Sequence, residues 1–325
     1  MSFGDTLLAR SIQDTAATVR GRKDLISTCG WNVRVLLSSR LSLLAKLTKL
    51  KIATFSTLSA ATGYLICWRT PELGIITASL GIFLLAMSAC AMNQIQDREI
   101  DARMERTRRR PVVTGAVKPA TAMVFAVLLA VGGSMLLWLL HNPAAALLGL
   151  LAVAWYNGVY TYLKRISAVA VLPGALVGAL PPVIGWTAAG GNPLDPQVFS
   201  LAFFFFIWQM PHFWLLLLVY GSDYEQAGLP SITKIFGMRQ LACLSCIWML
   251  TAAVSSLLLP LYLLVSSPWI SLGIAACGGW FAWQGWKLRR ASPADRSFAP
   301  AFRAINLYAL CMMALLAADA LLFVR

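Results

Sequence analysis

The sequence predicts an all-α membrane protein, a single bundle of nine transmembrane helices with its N-terminus in the cytoplasm. Three observations support this fold class. The 325 residues are 59% hydrophobic and only 12% charged. The apolar residues come in blocks long enough to cross a bilayer as helices. The basic residues gather on one side of those blocks, as the positive-inside rule requires.

The connections between the apolar blocks are short, which predicts one domain over residues 46–325 after a basic tail over residues 1–45. The nine predicted spans are roughly 52–69, 74–95, 119–140, 144–162, 169–188, 197–219, 241–265, 269–286 and 302–323.

The net charge of +14 is distributed in a way that excludes a nucleic-acid partner and indicates a lipid bilayer. With the N-terminus inside, 25 of the 27 Lys and Arg residues fall in inside segments, and only Arg69 and Arg325 fall outside. The polar inside loops therefore predict a site that faces the cytoplasm.

The N-terminal residues bear on localisation. They contain no apolar core followed by a small-residue cleavage site, which argues against a secretory signal. Asp5, Asp14 and Asp24 argue against a mitochondrial transit peptide. We expect the inner (plasma) membrane of a bacterium, with the mitochondrial inner membrane as the alternative. Residues 31–51 mix Leu and Val with bases, as an amphipathic helix on an anionic leaflet does.

The most informative motif places Asn93, Asp97 and Asp101 four residues apart at the end of an apolar span. On a helix this spacing puts the three side chains on one face. Carboxylates are costly beside hydrocarbon unless they have a partner or a function. Their hard oxygens suit Mg²⁺ that is itself bound to a phosphate. The alternative is a solvated helix end whose acids pair with nearby arginines.

An arginine-rich stretch follows, and it contains Arg106 and Arg110. These two lie closest to the acidic face if the helix continues, and guanidinium groups match phosphate oxygens well. The alternative is a positive loop that contacts lipid headgroups. With the acids, the stretch predicts a site for a metal-bound diphosphate.

A second element, YTYLKR, places Tyr160 and Lys164 on one face at another inside helix end, with Arg165 beside them. Lysine can hold a phosphate, and tyrosine can bind it or place a ring beside a developing cation. The alternative is interfacial anchoring. Asp97, Asp101, Tyr160 and Lys164 are therefore the catalytic candidates.

The third element is WQMPHF, in a span rich in aromatic residues. His212 lies mid-span, where polar groups usually face a cavity, and Pro211 predicts a local break in the helix. Trp208 and His212 are the candidates for binding an apolar substrate. Alternatively, His212 only hydrogen-bonds a neighbour. Two further prolines predict a break in the span over residues 174–186.

Other residues have simpler interpretations. Asp223, in the next inside loop, is a fourth candidate metal ligand or part of an ordinary polar loop. Asp319 lies far from the other acids and is interpreted as structural. Cys243 and Cys246 form an isolated CxxC, for which packing is the expected role.

These residues together suit a reaction between a diphosphate and a lipid-like molecule. A metal would neutralise the leaving diphosphate, fixed cations would stabilise its charge, and a dry aromatic cavity would hold the allylic cation. The predicted metal ligands are Asn93, Asp97, Asp101 and Asp223, and the cations are Arg106, Arg110 and Lys164.

The motifs NxxxDxxxD, MERTxxRP and YxxxK resemble the intramembrane aromatic prenyltransferase superfamily, which includes the 4-hydroxybenzoate polyprenyltransferases. The resemblance covers nearly all of the chain after the first 45 residues. DARMERTRRRPVVTG, GALPPVIGW, WQMPHF and DYEQAGLP are similar to the branch that farnesylates heme.

The resemblance implies a nine-helix bundle and Mg²⁺-dependent transfer of farnesyl from farnesyl diphosphate to a vinyl group of heme b. The product would be heme O for heme–copper terminal oxidases. It makes heme b a substrate, His212 a heme contact, and heme A synthase or terminal oxidase assembly the partners. The superfamily's second DxxxD is incomplete here, because Ala227 follows Asp223 by four residues. One or two metal ions therefore stay open.

Two alternatives stay open at this point. One is a prenyltransferase for another acceptor, such as a quinone precursor. The other is a non-catalytic heme or lipid transporter, which would leave its substrate unchanged and would not need Asp97 or Asp101.

Overall fold

The structure is a computed structural model that describes residues 40–230, 236–290 and 298–323. The chain divides into two compact units, Met1–Lys46 and Leu47–Arg325. In the first unit, residues 40–46 are described and are helical. The predicted tail over residues 1–45 lies almost wholly outside the described residues and stays a prediction.

The second unit is helical in every regular element that the structure describes. It contains a π-helix over Trp155–Tyr160 and a 3₁₀-helix over Ala168–Ala170. The α-helices are α1 (Leu50–Trp68), α2 (Leu73–Gln96), α3 (Arg98–Ala102), α4 (Pro119–Leu140), α5 (Pro143–Ala154), α6 (Thr161–Leu163), α7 (Val171–Ala188), α8 (Pro196–Val219), α9 (Gly221–Gln226), α10 (Met238–Ser255), α11 (Leu258–Leu261), α12 (Pro268–Arg290) and α13 (Ala299–Leu322).

The predicted class, an all-α membrane bundle, is confirmed for the described part of the chain. Eight helical segments there are long and apolar enough to cross a membrane. They are α1, α2, α4, α5 through α6, the 3₁₀-helix with α7, α8, α10 through α11, and α13. α12 is long enough at 23 residues, but its Trp and Gly residues make it less apolar. With α12 included, the described helices are consistent with the nine predicted.

Small residues let α1 and α7 pack with their backbones in contact. A Cβ atom added at Gly185 would lie 1.9 Å from the Ala60 carbonyl oxygen, and one at Gly63 would lie 2.0 Å from that of Pro182. Only glycine fits at either position. This contact fixes the second half of α1 against α7.

Two predicted helix breaks are wrong. α7 continues through Pro181 and Pro182, and α8 continues through Pro211. A proline inside a membrane helix removes one backbone donor, but neighbouring helices can keep the freed groups satisfied and the helix continuous. The span predicted over 241–265 corresponds to the segment Met238–Leu261, which is interrupted between Ser255 and Leu258 and ends four residues earlier than predicted.

Asp319 joins the helix ends farthest from the acidic motif. Its carboxylate accepts hydrogen bonds from the backbone N–H groups of Ser266 and Ser267 at 2.8 and 2.9 Å. The Arg69 guanidinium lies 3.7 Å away at the end of α1. These contacts tie α1, α12 and α13 together and support a structural role. Cys243 and Cys246 are free thiols in α10, as packing residues would be.

Candidate active site

The acidic motif forms a buried cluster where α2 ends. Asn93, Asp97 and Asp101 are 1%, 3% and 3% exposed. α2 ends at Gln96, yet the Asp97 N–H still bonds to the Asn93 carbonyl and the Asp101 N–H to that of Asp97, at 2.9 and 2.8 Å. The helical register therefore survives the interruption. Asn93 Nδ2 donates to Asp97 Oδ2 at 2.7 Å, so these two side chains share a face as predicted.

Each carboxylate of this cluster is paired with a cation. Lys164 Nζ contacts Asp97 Oδ2, and Arg165 Nη2 lies 3.3 Å from Asp97 Oδ1. Arg110 Nη1 contacts Asp101 Oδ2. Buried carboxylates need such partners, because an isolated buried charge is strongly unfavourable. Asp97, between α2 and α3, and Asp101, in α3, thus draw together two separate basic segments of the chain.

Sequence reasoning missed Lys49, a further cation in this cluster. Its Nζ donates to Asn93 Oδ1 at 2.5 Å. Burial, with the nearby Arg110 charge, lowers the pKa of Lys49 to about 8. Lys49 also has a left-handed backbone, with φ of 49°, immediately before α1. The available signal was a run of three lysines, Lys46, Lys49 and Lys51, at the entry to the first span.

Arg106 lies away from the acidic face, because the helix does not continue past Ala102. Its backbone N–H donates to Asp223 Oδ2 at 3.2 Å, and its guanidinium lies 4.9 Å from the centre of the Tyr220 ring. Asp223 therefore meets the arginine loop, and Arg110 takes the predicted place beside Asp101. In the described part of the chain, no three His, Cys, Asp or Glu side chains are close enough to hold a metal ion.

Tyr224 lies between the two loops and was also missed. It packs against a buried cluster of Met104, which follows α3, and of Ala227 and Leu229, which follow α9. Burial raises the pKa of Tyr224 above its ordinary value. Its hydroxyl therefore stays protonated at neutral pH and can donate a hydrogen bond beside the cluster.

Tyr160 and Lys164 share a face at the other helix end, as predicted. Lys164 Nζ lies 5.8 Å from the centre of the Tyr160 ring. Tyr160 stacks on Tyr156 at 5.7 Å and contacts Phe213 of α8 at the same distance. The charged cluster therefore borders directly on aromatic side chains.

His212 continues this aromatic wall away from the charges. Its ring lies 6.0 Å from that of Phe213, 5.0 Å from Trp208 and 5.2 Å from Phe302. His212 Nδ1 is buried without a hydrogen-bond partner among the described residues. Trp208 differs, because its indole N–H donates to the Ile305 carbonyl at 2.9 Å. Trp208 can therefore offer only its ring to a ligand.

A polar cavity of about 370 Å³ lies at the opposite end of the bundle. Arg69, Trp186 and Asp195 line it. Since Arg69 ends α1 and Lys49 precedes it, the length of that helix separates this cavity from the acidic cluster. The cavity therefore takes no part in the chemistry of the cluster.

The comparison with known proteins decides the family. A sequence model of the UbiA prenyltransferase family matches residues 52–310, most of the chain. The chain belongs to the UbiA prenyltransferase family. The resemblance predicted from the motifs is thereby confirmed, and the acidic cluster lies within the matched residues.

Curated relatives support the same family at higher similarity. A protoheme IX farnesyltransferase from Geobacter sulfurreducens is 38% identical over 224 residues, which cover 68% of this chain and 83% of that protein. One from Oleidesulfovibrio alaskensis is 34% identical over 278 residues, which cover 85% and 96%.

Solved structures share the UbiA fold at low identity. A digeranylgeranylglyceryl phosphate synthase structure has a TM-score of 0.70 at 16% identity, covering 88% of this chain and all of that one. A UbiA homologue from Archaeoglobus fulgidus bound to GPP and Mg²⁺ has a TM-score of 0.60 at 15% identity, covering 84% and 99%. These two likenesses establish the fold.

Proposed function

We propose that this UbiA-family chain transfers the farnesyl group of farnesyl diphosphate to a vinyl group of heme b, giving heme O. The observation that carries the proposal is the arrangement of the site. Acids interleaved with cations border an aromatic wall, and that wall leads to a histidine with an unpaired nitrogen. The curated protoheme IX farnesyltransferases similar to this chain support the choice of substrates.

The charged cluster suits a metal-bound diphosphate because such a ligand brings both signs of charge. Lys164 and Arg165 can exchange Asp97 for phosphate oxygens, and Arg110 can exchange Asp101. The freed carboxylates then face the metal, so every buried charge keeps a partner. Lys49 can make the same exchange from Asn93.

The donor set fits Mg²⁺. The oxygens of Asn93, Asp97 and Asp101 each face an ammonium or a guanidinium group, so each lies where a cation is favoured. Hard oxygen donors with few protein carboxylates are typical of Mg²⁺ that is shared with a phosphate. Bound there, Mg²⁺ would neutralise the diphosphate. Asp223 is proposed as a further ligand from the opposite loop.

The remaining chemistry follows from the chain's own side chains. The C1–O bond of farnesyl diphosphate breaks, and Lys164, Arg165 and Arg110 stabilise the departing charge. The rings of Tyr160 and Phe213 shield the allylic cation from water. Its C1 then bonds to the terminal vinyl carbon of heme b. Water captures the second cation and loses a proton, which leaves a hydroxyl group beside the macrocycle.

His212 is proposed to position the heme. An imidazole nitrogen without a protein partner suits iron, and the Phe302 ring beside it suits a flat macrocycle. Trp208 is buried and stacked on Phe55, so its proposed role is to pack against the His212 ring. A quinone precursor would need no such ligand. The histidine therefore favours heme over that acceptor, which stays the second candidate.

The proposed orientation places the acidic cluster at the cytoplasmic face of a bacterial inner membrane. The distribution of basic residues supports this orientation. Residues 1–45 would then form a basic cytoplasmic tail, and residues 46–325 the catalytic domain. We propose heme A synthase or terminal oxidase assembly as the destination of the product.

The test uses membranes that contain the protein, heme b, farnesyl diphosphate and Mg²⁺, with mass spectrometry of the extracted heme. We expect farnesylated heme from the wild type and none from Asp97→Asn. Glu99→Gln is the matched control, because Glu99 lies in the neighbouring helix α3 but is exposed. Prenylation of another acceptor would overturn the heme assignment. No prenyl transfer at all would favour a transporter.

A further inference from the structure

We propose that Gln96 and Asn157 form a neutral clamp that keeps the two halves of the charged cluster aligned while substrate occupies it. Neither side chain contacts the acids or their cations through its own amide, so both are positioning residues. The inference rests on the proposed function for its ligand, a metal-bound prenyl diphosphate.

The clamp is a reciprocal pair of hydrogen bonds between α2 and the π-helix. Gln96 Nε2 donates to the Asn157 backbone carbonyl at 2.9 Å. Asn157 Nδ2 donates back to Gln96 Oε1 at 3.0 Å, and also to the Ala89 carbonyl at 3.1 Å. Asn157 is 6% exposed, and its own Oδ1 has no partner among the described residues. The Asn157 side chain is thus oriented so that its Nδ2 makes two hydrogen bonds while its Oδ1 makes none within the described part of the chain.

Both residues stand next to functional groups. Gln96 immediately precedes Asp97, and its backbone carbonyl accepts from Arg165 Nη2 at 2.6 Å. Asn157 lies in the π-helix that ends at Tyr160. Tyr160 in turn is four residues before Lys164. The clamp therefore connects the residue immediately before Asp97 to the helical turn that orients Lys164.

The π-helix explains why this turn needs support. The Thr161 N–H bonds five residues back, to the Tyr156 carbonyl, so the turn contains one more residue than an α-helical turn. Such turns are rare in proteins overall, but those that occur are often found at functional sites. If the turn relaxed to a regular helix, every later side chain would rotate by about 100°. Lys164 would then point away from Asp97.

Substrate binding opens the ion pairs that help to oppose this rotation. In the unliganded protein, Lys164 and Arg165 hold Asp97 directly. Those ion pairs must open when the cations move to phosphate and the carboxylate faces metal. The Gln96–Asn157 pair carries no charge, so neither metal nor phosphate competes for it. It can keep the two helix ends in register throughout the reaction.

The experiment compares Gln96→Leu, Asn157→Leu and the double variant. Purified proteins are titrated with farnesyl thiolodiphosphate, an unreactive analogue, in the presence of Mg²⁺. The control is Asn142→Leu at the other end of the same helical segment. Asn142 also makes two amide hydrogen bonds, to the Ala145 N–H at 2.9 Å and the Thr187 carbonyl at 2.6 Å.

We expect each clamp variant to bind the analogue about tenfold more weakly, the effect of losing two neutral hydrogen bonds. Because both variants remove the hydrogen bond from Asn157 Nδ2 to Gln96 Oε1, the loss in the double variant should be smaller than the product of the two single losses. Asn142→Leu should bind like the wild type. In turnover assays the KM for farnesyl diphosphate should rise while the KM for heme stays unchanged.

Multiplied losses in the double variant, or an equal loss in Asn142→Leu, would overturn the clamp. If a leucine variant fails to fold, Gln96→Met removes the same amide with an uncharged side chain of similar length, and it should still weaken analogue binding. If the variants show the expected pattern of analogue binding but the wild type prenylates no heme, the clamp is supported and the proposed acceptor is overturned. A wild type that does not bind the analogue would overturn the proposed function itself.

Discussion

Removing the positive charge of Lys164 tests the proposed electrostatic mechanism most sharply. Lys164 contacts Asp97 at the point where the leaving diphosphate is proposed to bind. Lys164→Met keeps the length and apolar stem of the side chain and removes only its charge. We expect the chemical step to slow greatly while the fold survives.

The contacts that remain around Asp97 set the cost to stability. Asp97 would keep Arg165 at 3.3 Å and the Asn93 amide at 2.7 Å. Since the Lys164 side chain is 22% exposed, we expect a loss of about 1 kcal/mol in the free energy of unfolding.

The effect on rate is larger. An ammonium about 4 Å from the departing charge contributes about 4 kcal/mol at an effective dielectric of about 20. That energy corresponds to a fall of about a thousandfold in the rate. Because the leaving charge develops only in the transition state, kcat should fall more than the KM for farnesyl diphosphate rises.

The assay is single-turnover formation of farnesylated heme by purified Lys164→Met, with thermal unfolding measured on the same sample. Lys118→Met is the matched control, because Lys118 is an exposed lysine beyond the arginine loop. A rate within tenfold of the wild type would refute the reasoning. An unchanged kcat with a raised KM would show that Lys164 binds substrate without stabilising the transition state.

Three further predictions concern the pKa of a lysine, helix packing and heme binding. The pKa of Lys49 is lowered from 10.5 to about 8, so between these values the unfolded chain holds more protons and stability should rise with pH; thermal unfolding of Lys49→Met should lose this slope. Gly185→Ala places a Cβ atom 1.9 Å from the Ala60 carbonyl and should cost about 3 kcal/mol in unfolding free energy, whereas Gly279→Ala meets nothing within 4 Å and should be neutral. His212→Phe should abolish the spectral shift of bound heme and leave binding of the farnesyl analogue intact; an unchanged shift would contradict the proposed heme contact.

The fold class could be predicted because a bilayer imposes helix length and apolar composition on each span. Local breaks in the helices could not be predicted, since neighbouring helices decide whether a helix continues through a proline. The chain passes through Pro182 and Pro211 as helix, whereas it breaks after Ser255 without a proline at that point. For α12 the apolar composition is the weaker signal, because its Trp and Gly residues leave it less apolar than the eight other spans.

The candidate site likewise contains contacts that could be predicted from the sequence and contacts that could not. Four-residue spacing correctly predicted that Asn93 lies beside Asp97 and Tyr160 beside Lys164. Contacts between distant segments depend on how the helices pack, and spacing says nothing about them. The meeting of Lys49 with Asn93, 44 residues apart, is of this kind. So is the reciprocal amide pair, because its π-helix lies inside an apolar segment with no sequence signal that distinguishes it from an α-helix.

The most direct test of the proposed activity is the mass of the heme recovered after one turnover with deuterated farnesyl diphosphate in H₂¹⁸O. The proposal predicts a heme that carries one deuterated farnesyl group and one ¹⁸O-labelled hydroxyl group, formed only when Mg²⁺ is present. Recovery of unmodified heme b, with the label on another acceptor or still on farnesyl diphosphate, would contradict it.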